Sequence, residues 1–323
     1  MGGDYLTLCL AIEELARVDQ SVAITLEAAV SLGTMPVYRF GTDAQKARWL
    51  PELVSGRRLS AFGLTESGAG SDVASMRTTA TRTSSGWVIN GTKEFITNSG
   101  TNITSLITVC AVTGRKDDGR PVLSSFLVPA DTPGLTVEPA YSKVGWHASD
   151  THPLTFANVE VGADSLLGDE GRGYSNFLSI LDEGRIAIAA LATGAAQGCV
   201  DESIKYAQQR EAFGRPIAGF QSISFMIADM EARTETARAM WHHAAARMNA
   251  GLSYKKEAAI AKLIAGDAAM ANARAATQIH GGYGFMNEFP VARHYRDSKI
   301  LEVGEGTSEV QRMIIARELG LPS

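Results

Sequence analysis

The spacing of apolar residues predicts helices at both ends of the chain and strands between them. Across residues 4–55, apolar positions form an amphipathic stripe with acidic side chains on the opposite face. Asp19 or Ser21 can cap a second helix, and a third helix is expected to end near Gly56. The first part of the chain is therefore predicted to be helical.

Residues 60–162 change to short apolar and β-branched runs broken by turns. Asn90-Gly91 separates two such runs, and this dipeptide is a strong hairpin signal. Two further runs, at residues 105–112 and 122–128, are joined by a polar turn that contains glycine. Several short strands at this spacing suggest a small barrel or sandwich.

Residues 170–319 return to a helical pattern. Between residues 220 and 250, apolar side chains recur at steps of three, four and seven, which places them on one face of a helix. Residues 253–280 and 305–319 show the same pattern, and about four long helices imply a bundle. The order of helices, strands and bundle does not by itself specify a function.

Composition narrows the classes of function. The net charge is −5 without a long run of one sign, which argues against nucleic acid or an anionic membrane as the main partner. The three cysteines are far apart and the histidines form no metal motif, so buried free thiols in a reducing cytosol are expected. No signal peptide and no apolar stretch of about 20 residues is seen, so a cytoplasmic protein without a membrane span is expected.

Five segments carry candidate chemistry, and each also has a purely structural explanation. The first, residues 62–72, combines three glycines with hydroxyls and acids, so its backbone NH groups can approach a phosphate closely. A simple turn is the alternative. In the second, residues 95–100, Phe95 can stack on a ring and the Thr97 hydroxyl points the same way. An ordinary strand end is the alternative there.

The third segment opens a helix at residues 181–185 and is followed by a basic, aromatic break at residues 210–216, together with Gln221. Arginines in such a break can pair with a pyrophosphate, although solvated helix ends have a similar composition. The fourth segment, residues 278–285, is a glycine-rich interruption between two helices. It indicates either close backbone approach or a helix C-cap.

The fifth segment, residues 304–309, places Glu305 between two glycines just before the last helix. Thr307 or Ser308 can cap that helix, and capping alone could explain the composition. A carboxylate with a flexible backbone on both sides is less usual.

In this order and at these intervals, the five segments resemble the acyl-CoA dehydrogenase family over essentially the whole chain. The resemblance implies an α+β, mainly α fold with a truncated N-terminal helical domain at residues 1–58, a β-barrel at 59–167 and a four-helix bundle at 168–323. In the family, these domains enclose FAD and a thioester. The family's earlier helices, before the segment resembling Gly3-Asp4-Tyr5, are expected to be missing.

The resemblance also implies roles for single residues. Thr65 would hydrogen-bond the flavin ring, Phe95 would lie against that ring, and Thr97 would lie near its N5 atom. Residues 210–221 and 278–282 look like groups that reach the FAD of a neighbouring subunit, which implies a homo-oligomer, a dimer or tetramer. The implied FAD-binding residues are Phe62, Leu64, Thr65, Gly70, Ser71, Phe95, Thr97, Arg210, Phe213, Gln221, Gln278, Gly281, Gly282, Thr307 and Glu309.

Glu305 matches the usual catalytic base of the family, which takes the α-proton while flavin N5 accepts the β-hydride. Burial raises a carboxylate's pKa and makes it a better base at neutral pH. Some branches of the family place the base in an earlier helix, at a position that is Gly184 here. The implied acyl-CoA contacts are Ser71, Asp182, Arg185 and Gly306.

The expected activity is dehydrogenation of an acyl-CoA to the trans-2-enoyl-CoA in fatty acid β-oxidation, with electrons passed to an electron-transfer flavoprotein. Gly304 replaces a tyrosine common in short- and medium-chain members, so we hypothesise a branched, cyclic or longer acyl group. An acyl-CoA oxidase or a flavin monooxygenase on the same fold is the nearest alternative. A non-catalytic acyl-CoA-binding protein is the other, and Glu305 with the FAD segments argues against it.

Overall fold

The computed structural model describes residues 4–322, so the first three residues of the predicted N-terminal domain and Ser323 lie outside the described residues. The chain divides into two compact units. The bundle unit comprises Met1–Ile24, Lys143–Ala148 and Asp182–Ser323, and the sheet unit comprises Thr25–Ser142 and Ser149–Leu181. The three predicted domain boundaries stay predictions.

Helices account for most of both ends of the described chain, and the predicted fold class is confirmed. They are α1 Tyr5–Val18, α2 Gln20–Glu27, α3 Met35–Phe40, α4 Asp43–Val54, α5 Gly173–Gln209, α6 Gln221–Asn249, α7 Lys255–His280, α8 Pro290–Ser298 and α9 Ser308–Glu318. A π-helical stretch, Ala28–Thr34, joins α2 to α3. Short 3₁₀ turns lie at Val73–Ser75, Ala163–Ser165, Ile217–Gly219, Gly281–Phe285 and Lys299–Glu302.

The helical stretch Gln20–Phe40 is long and apolar enough, by length and composition, to cross a membrane. The expectation that no apolar stretch of this length occurs is therefore too strict. Half of its most apolar window is buried inside the protein, as is usual for a core helix.

Side-chain caps fix where several helices begin. Asp19 caps α2 by accepting the backbone N–H of Ser21 at 2.8 Å, which decides between the two predicted caps. Thr307 caps α9 by accepting the N–H of Val310 at 3.3 Å. This cap fixes the start of the last helix close to Glu305 in the sequence.

The sheet unit contains eight strands: β1 Leu59–Gly63, β2 Thr79–Arg82, β3 Gly86–Thr97, β4 Thr104–Arg115, β5 Pro121–Pro129, β6 Leu135–Val137, β7 Thr151–Gly162 and β8 Leu166–Leu167. They form one sheet with the order β6-β7-β3-β2-β4-β5-β8, and β1 pairs in parallel with β4. Within the described residues this path does not close on itself, so an open sheet takes the place of the expected barrel. Two further short strands, β9 Glu211–Ala212 and β10 Arg215–Pro216, form a small ladder in the bundle unit.

The hairpin predicted at Asn90-Gly91 is wrong, because β3 runs straight through these two residues. The pairing of β3 with β7 shifts register at this point, and Gly91 has a φ of 146°. A Cβ on Gly91 would overlap with Thr78. The glycine therefore serves a bulge and a close backbone approach rather than a turn.

Each unit has its own apolar core. In the sheet unit, the rings of Trp87 and Phe126 meet edge to face at 5.1 Å among buried aliphatic side chains. In the bundle unit, α1 docks through Glu13, whose carboxylate accepts hydrogen bonds from Arg238 at 2.7 Å and Trp241 at 2.8 Å. The cysteines are buried free thiols, as expected.

Candidate functional site

The first predicted segment leaves the sheet at the end of β1 as a tight loop. Glu66 and Ala69 exchange backbone hydrogen bonds of 3.2 and 3.0 Å across it. A Cβ built on Gly68 or Gly70 would meet no atom within 4 Å, so both glycines border open space. A phosphate group could approach the backbone there, as the sequence predicts.

The predicted residues of this loop differ in exposure. Leu64 is buried, Thr65 and Phe62 are half-buried, and Gly70 and Ser71 are exposed. The Phe62 ring packs 4.1 Å from the ring of Phe177. The apolar start of the loop is therefore anchored in the sheet unit, while its glycine-rich part faces solvent.

A buried ion pair, which the sequence analysis missed, ties this loop to β3. Lys93 is fully buried, and its Nζ donates hydrogen bonds to Glu66 Oε1 at 2.9 Å and to the Leu64 carbonyl at 3.0 Å. Glu66 also accepts the backbone N–H groups of Arg77 at 2.6 Å and Thr78 at 3.0 Å. A buried charge is tolerated when it is paired and hydrogen-bonded in this way.

The electrostatics of the pair follow from its burial. Burial lowers the pKa of the Lys93 ammonium, against the opposing charge of Glu66. Burial acts to raise the pKa of Glu66, but the charge of Lys93 and the hydrogen bonds to the carboxylate outweigh it, and the pKa is lowered. The opposite charge of each partner therefore offsets part of the cost of burying the other.

The second segment ends β3 and presents an aromatic ring to solvent. Phe95 is 63% exposed and has a φ of 62°, a conformation that is uncommon for a bulky residue. Its ring lies 5.2 Å from the ring of Tyr141, which donates a hydrogen bond to Glu94. An exposed ring held in a strained backbone is suited to stacking on a planar ligand.

Glu305 lies on a short loop of the bundle unit, between the Lys299–Glu302 turn and α9. Its φ is 53° and that of Gly306 is 96°, so both residues have left-handed backbones. Lys262 Nζ and Gln311 Nε2 donate to the Gly306 carbonyl at 2.7 and 2.8 Å, and Gln311 also reaches the Glu305 carbonyl at 3.4 Å. These bonds hold the loop in a conformation that its backbone does not favour.

The two candidate positions for a base coincide in space. A Cβ built on Gly184 of α5 would overlap with Oε2 of Glu305. The absence of a side chain at Gly184 is therefore what leaves room for the carboxylate of Glu305. Gly184 lies in the same turn of α5 as two predicted acyl-CoA contacts, Asp182 and Arg185. The Arg185 guanidinium donates a hydrogen bond to the Asp182 carboxylate. Burial raises the pKa of Asp182, although the charge of Arg185 opposes this shift.

A separate cleft of about 840 Å³ in the bundle unit collects four of the residues predicted to reach a neighbour's FAD. Its lining includes Tyr206 and His280, whose rings stack at 4.1 Å. Phe213 is 96% exposed at the rim. Gln221 and Gln278 are exposed but do not line the cleft, and Glu309 is exposed on α9. The four that line it are Arg210, Phe213, Gly281 and Gly282.

Lys93→Met is expected to destabilise the sheet unit by about 3–5 kcal/mol, because it leaves the buried Glu66 carboxylate unpaired. Urea unfolding followed by circular dichroism measures the loss. The double variant Lys93→Met/Glu66→Met should recover part of it, since no charge is then stranded. Lys116→Met, in an exposed turn, is the matched control. A Lys93→Met protein as stable as the wild type would contradict this assignment.

Comparison with known proteins identifies the family. The N-terminal, middle and C-terminal domains of acyl-CoA dehydrogenase match residues 1–57, 61–159 and 171–320. The probable acyl-CoA dehydrogenase YngJ of Bacillus subtilis is 46% identical over 318 residues, which cover 98% of this chain and 83% of that protein.

Solved structures agree. The butyryl-CoA dehydrogenase of Megasphaera elsdenii superposes with a TM-score of 0.95 at 45% identity, covering 98% of this chain and 82% of that one. A chain from a study of the electron transferring flavoprotein of Acidaminococcus fermentans gives 0.95 at 42% identity, covering 99% and 83%. A glutaryl-CoA dehydrogenase of Mycobacterium smegmatis in complex with FADH2 gives 0.92 at 34% identity, covering 98% and 80%. The predicted resemblance and enzyme class are confirmed: the chain belongs to the acyl-CoA dehydrogenase family of oxidoreductases.

Proposed function

We propose that this chain removes two hydrogens from an acyl-CoA thioester and forms the trans-2-enoyl-CoA, with FAD as cofactor. The observation that carries the proposal is the carboxylate of Glu305, held on a clamped left-handed loop in the space that Gly184 leaves open. A carboxylate packed this closely against the backbone of α5 has a defined position, and a general base requires a defined position.

The described residues fit an FAD. The open space beside Gly68 and Gly70 can take a pyrophosphate, and the exposed ring of Phe95 can lie against a flavin. In the bundle unit, Arg210 and the open backbone at Gly281 supply a cation and a close approach for the FAD of a neighbouring subunit. When bound, FAD supplies the hydride acceptor.

The chain's own residues handle the proton. Glu305 takes the α-proton of the thioester and becomes a carboxylic acid, while the β-hydrogen leaves as a hydride. The negative charge that develops on the thioester oxygen requires hydrogen-bond donors, and we assign the backbone N–H of Glu305 to that role. Asp182 and Arg185, which flank Gly184 in the same turn of α5, would contact the acyl-CoA.

The partners follow from the same proposal. Electrons would pass to an electron-transfer flavoprotein. Phe213, Tyr283 and Met286 are exposed around one cleft, and an apolar cluster of this kind supports a homo-oligomer. A cytoplasmic location stays a prediction. An acyl-CoA oxidase would differ in the reoxidation of its reduced flavin by air, which a stopped-flow measurement separates from dehydrogenase behaviour.

Glu305→Gln is expected to abolish flavin reduction by acyl-CoA, because an amide cannot accept the α-proton, while FAD stays bound. Anaerobic bleaching of the flavin band against a panel of acyl-CoAs measures it. Glu318→Gln, at the end of α9 in a surface ion pair with Lys255, is the control and should bleach normally. Retained bleaching in Glu305→Gln would remove Glu305 from the base role.

Gly184→Ala is expected to lower kcat by about 10- to 100-fold with little loss of stability, since the new methyl displaces only the flexible end of Glu305. Steady-state kinetics and thermal melting measure the two effects. Gly114→Ala, whose methyl would meet only Val122 within 4 Å, is the matched control. An unchanged kcat would show that the carboxylate does not occupy this space during the reaction.

The acyl group is tested through Gly304. A Cβ at this position would lie 3.4 Å from the Ile300 carbonyl oxygen, an ordinary contact, so Gly304→Tyr is expected to fold. Under the wider-pocket hypothesis the ring would narrow the acyl site, and kcat/KM should fall for branched or longer acyl-CoAs more than for butyryl-CoA. A wild-type profile that peaks at butyryl-CoA would contradict the wider-pocket hypothesis and leave the proposed reaction intact.

A further inference from the structure

A buried lysine lies directly behind the loop that carries the base. Lys262, on α7, is 1% exposed, and its Nζ donates to the Gly306 carbonyl at 2.7 Å. One carbonyl does not offset the cost of removing an ammonium group from water. The proton transfer described above makes no use of this group, so its charge needs another explanation.

The charges that face Lys262 come from several elements. Burial lowers the pKa of its ammonium to about 8, and the charge of Glu305 is the strongest influence that opposes this shift. Asp267 on α7 and Glu302 in the Lys299–Glu302 turn also raise the pKa of Lys262. The positive charge of Arg185 on α5 lowers it. Because electrostatic coupling is reciprocal, the ammonium stabilises the ionised form of Glu305.

A neutral donor at the same carbonyl separates geometry from charge. Gln311, buried on α9, donates to the Gly306 carbonyl at 2.8 Å beside Lys262. Both side chains restrain the loop, but only the lysine brings a positive charge. A comparison of Lys262 with Gln311 therefore separates the effect of restraining the loop from the effect of placing a positive charge near Glu305.

We propose that Lys262 is a positioning residue for Glu305: it holds the loop through the Gly306 carbonyl, and its charge keeps the carboxylate ionised and ready to accept a proton. The proposal rests on the proposed function of Glu305 as the base. It predicts that loss of the charge raises the pKa of Glu305, so that the carboxylate becomes protonated at a higher pH.

The test compares three variants and one control by the pH dependence of kcat/KM, which reports ionisations of the free enzyme. In Lys262→Met, the acid limb should move up by about one pH unit, and kcat at the optimum should fall by about 10- to 100-fold because the loop shifts. Lys262→Arg keeps a permanent charge and should keep the wild-type acid limb, even with a reduced kcat. Gln311→Met should lower kcat without moving the limb.

Lys256→Met, on the same helix in a surface pair with Glu257, is the control and should match the wild type. FAD content and thermal melting are measured for every variant. Should Lys262→Met not fold, Lys262→Gln keeps a donor without the charge and must show the same shift of the acid limb.

An acid limb that stays in place when the charge is removed overturns the proposal, and so does one that moves equally in Lys262→Arg. A wild-type kcat in Lys262→Met overturns the positioning role. These results differ from failure of the proposed function. In that case none of the acyl-CoAs would bleach the flavin of the wild-type protein, and the inference about Lys262 would fail as well.

Discussion

The ammonium group of Lys262 lies 2.7 Å from the carbonyl oxygen of Gly306, and the position of the Glu305 carboxylate depends on that contact. The loop has two successive left-handed residues, one of them a glutamate, so its conformation is costly and must be imposed from outside. Lys262 and Gln311 impose it from α7 and α9. The long helices of the bundle unit thus serve the chemistry by carrying the groups that restrain one short loop.

In the sheet unit, too, a buried lysine fixes the conformation of a loop. Lys93 on β3 reaches the loop that follows β1 and binds both Glu66 and the Leu64 carbonyl. In both units a lysine without access to water joins a regular element to an irregular segment that bears the predicted functional residues. A regular element is rigid, and a buried charge-assisted hydrogen bond passes that rigidity to the neighbouring loop.

Much of this arrangement could be predicted from the sequence, because glycines, hydroxyls and carboxylates mark segments where the backbone adopts unusual conformations or can approach a ligand closely. The five segments are found in this way, whereas the role of Glu305 as a base comes from the family resemblance. Lys93 and Lys262 are not found, since a lysine inside a strand or helix normally extends into solvent and nothing local indicates burial. The overlap between Gly184 and Glu305 joins positions 121 residues apart (305 − 184) and appears only in three dimensions. The hairpin prediction at Asn90-Gly91 is wrong because a bulge and a hairpin use the same residue types.

The lack of a side chain at Gly184 also constrains how this chain could change during evolution. A carboxylate cannot be added there while Glu305 remains, because the two would compete for one volume and repel each other. Moving the proposed base from the loop to the helix would therefore require two substitutions, and each order would pass through a poorly active form. Such a barrier would separate chains with the carboxylate on the loop from chains with a carboxylate on the helix.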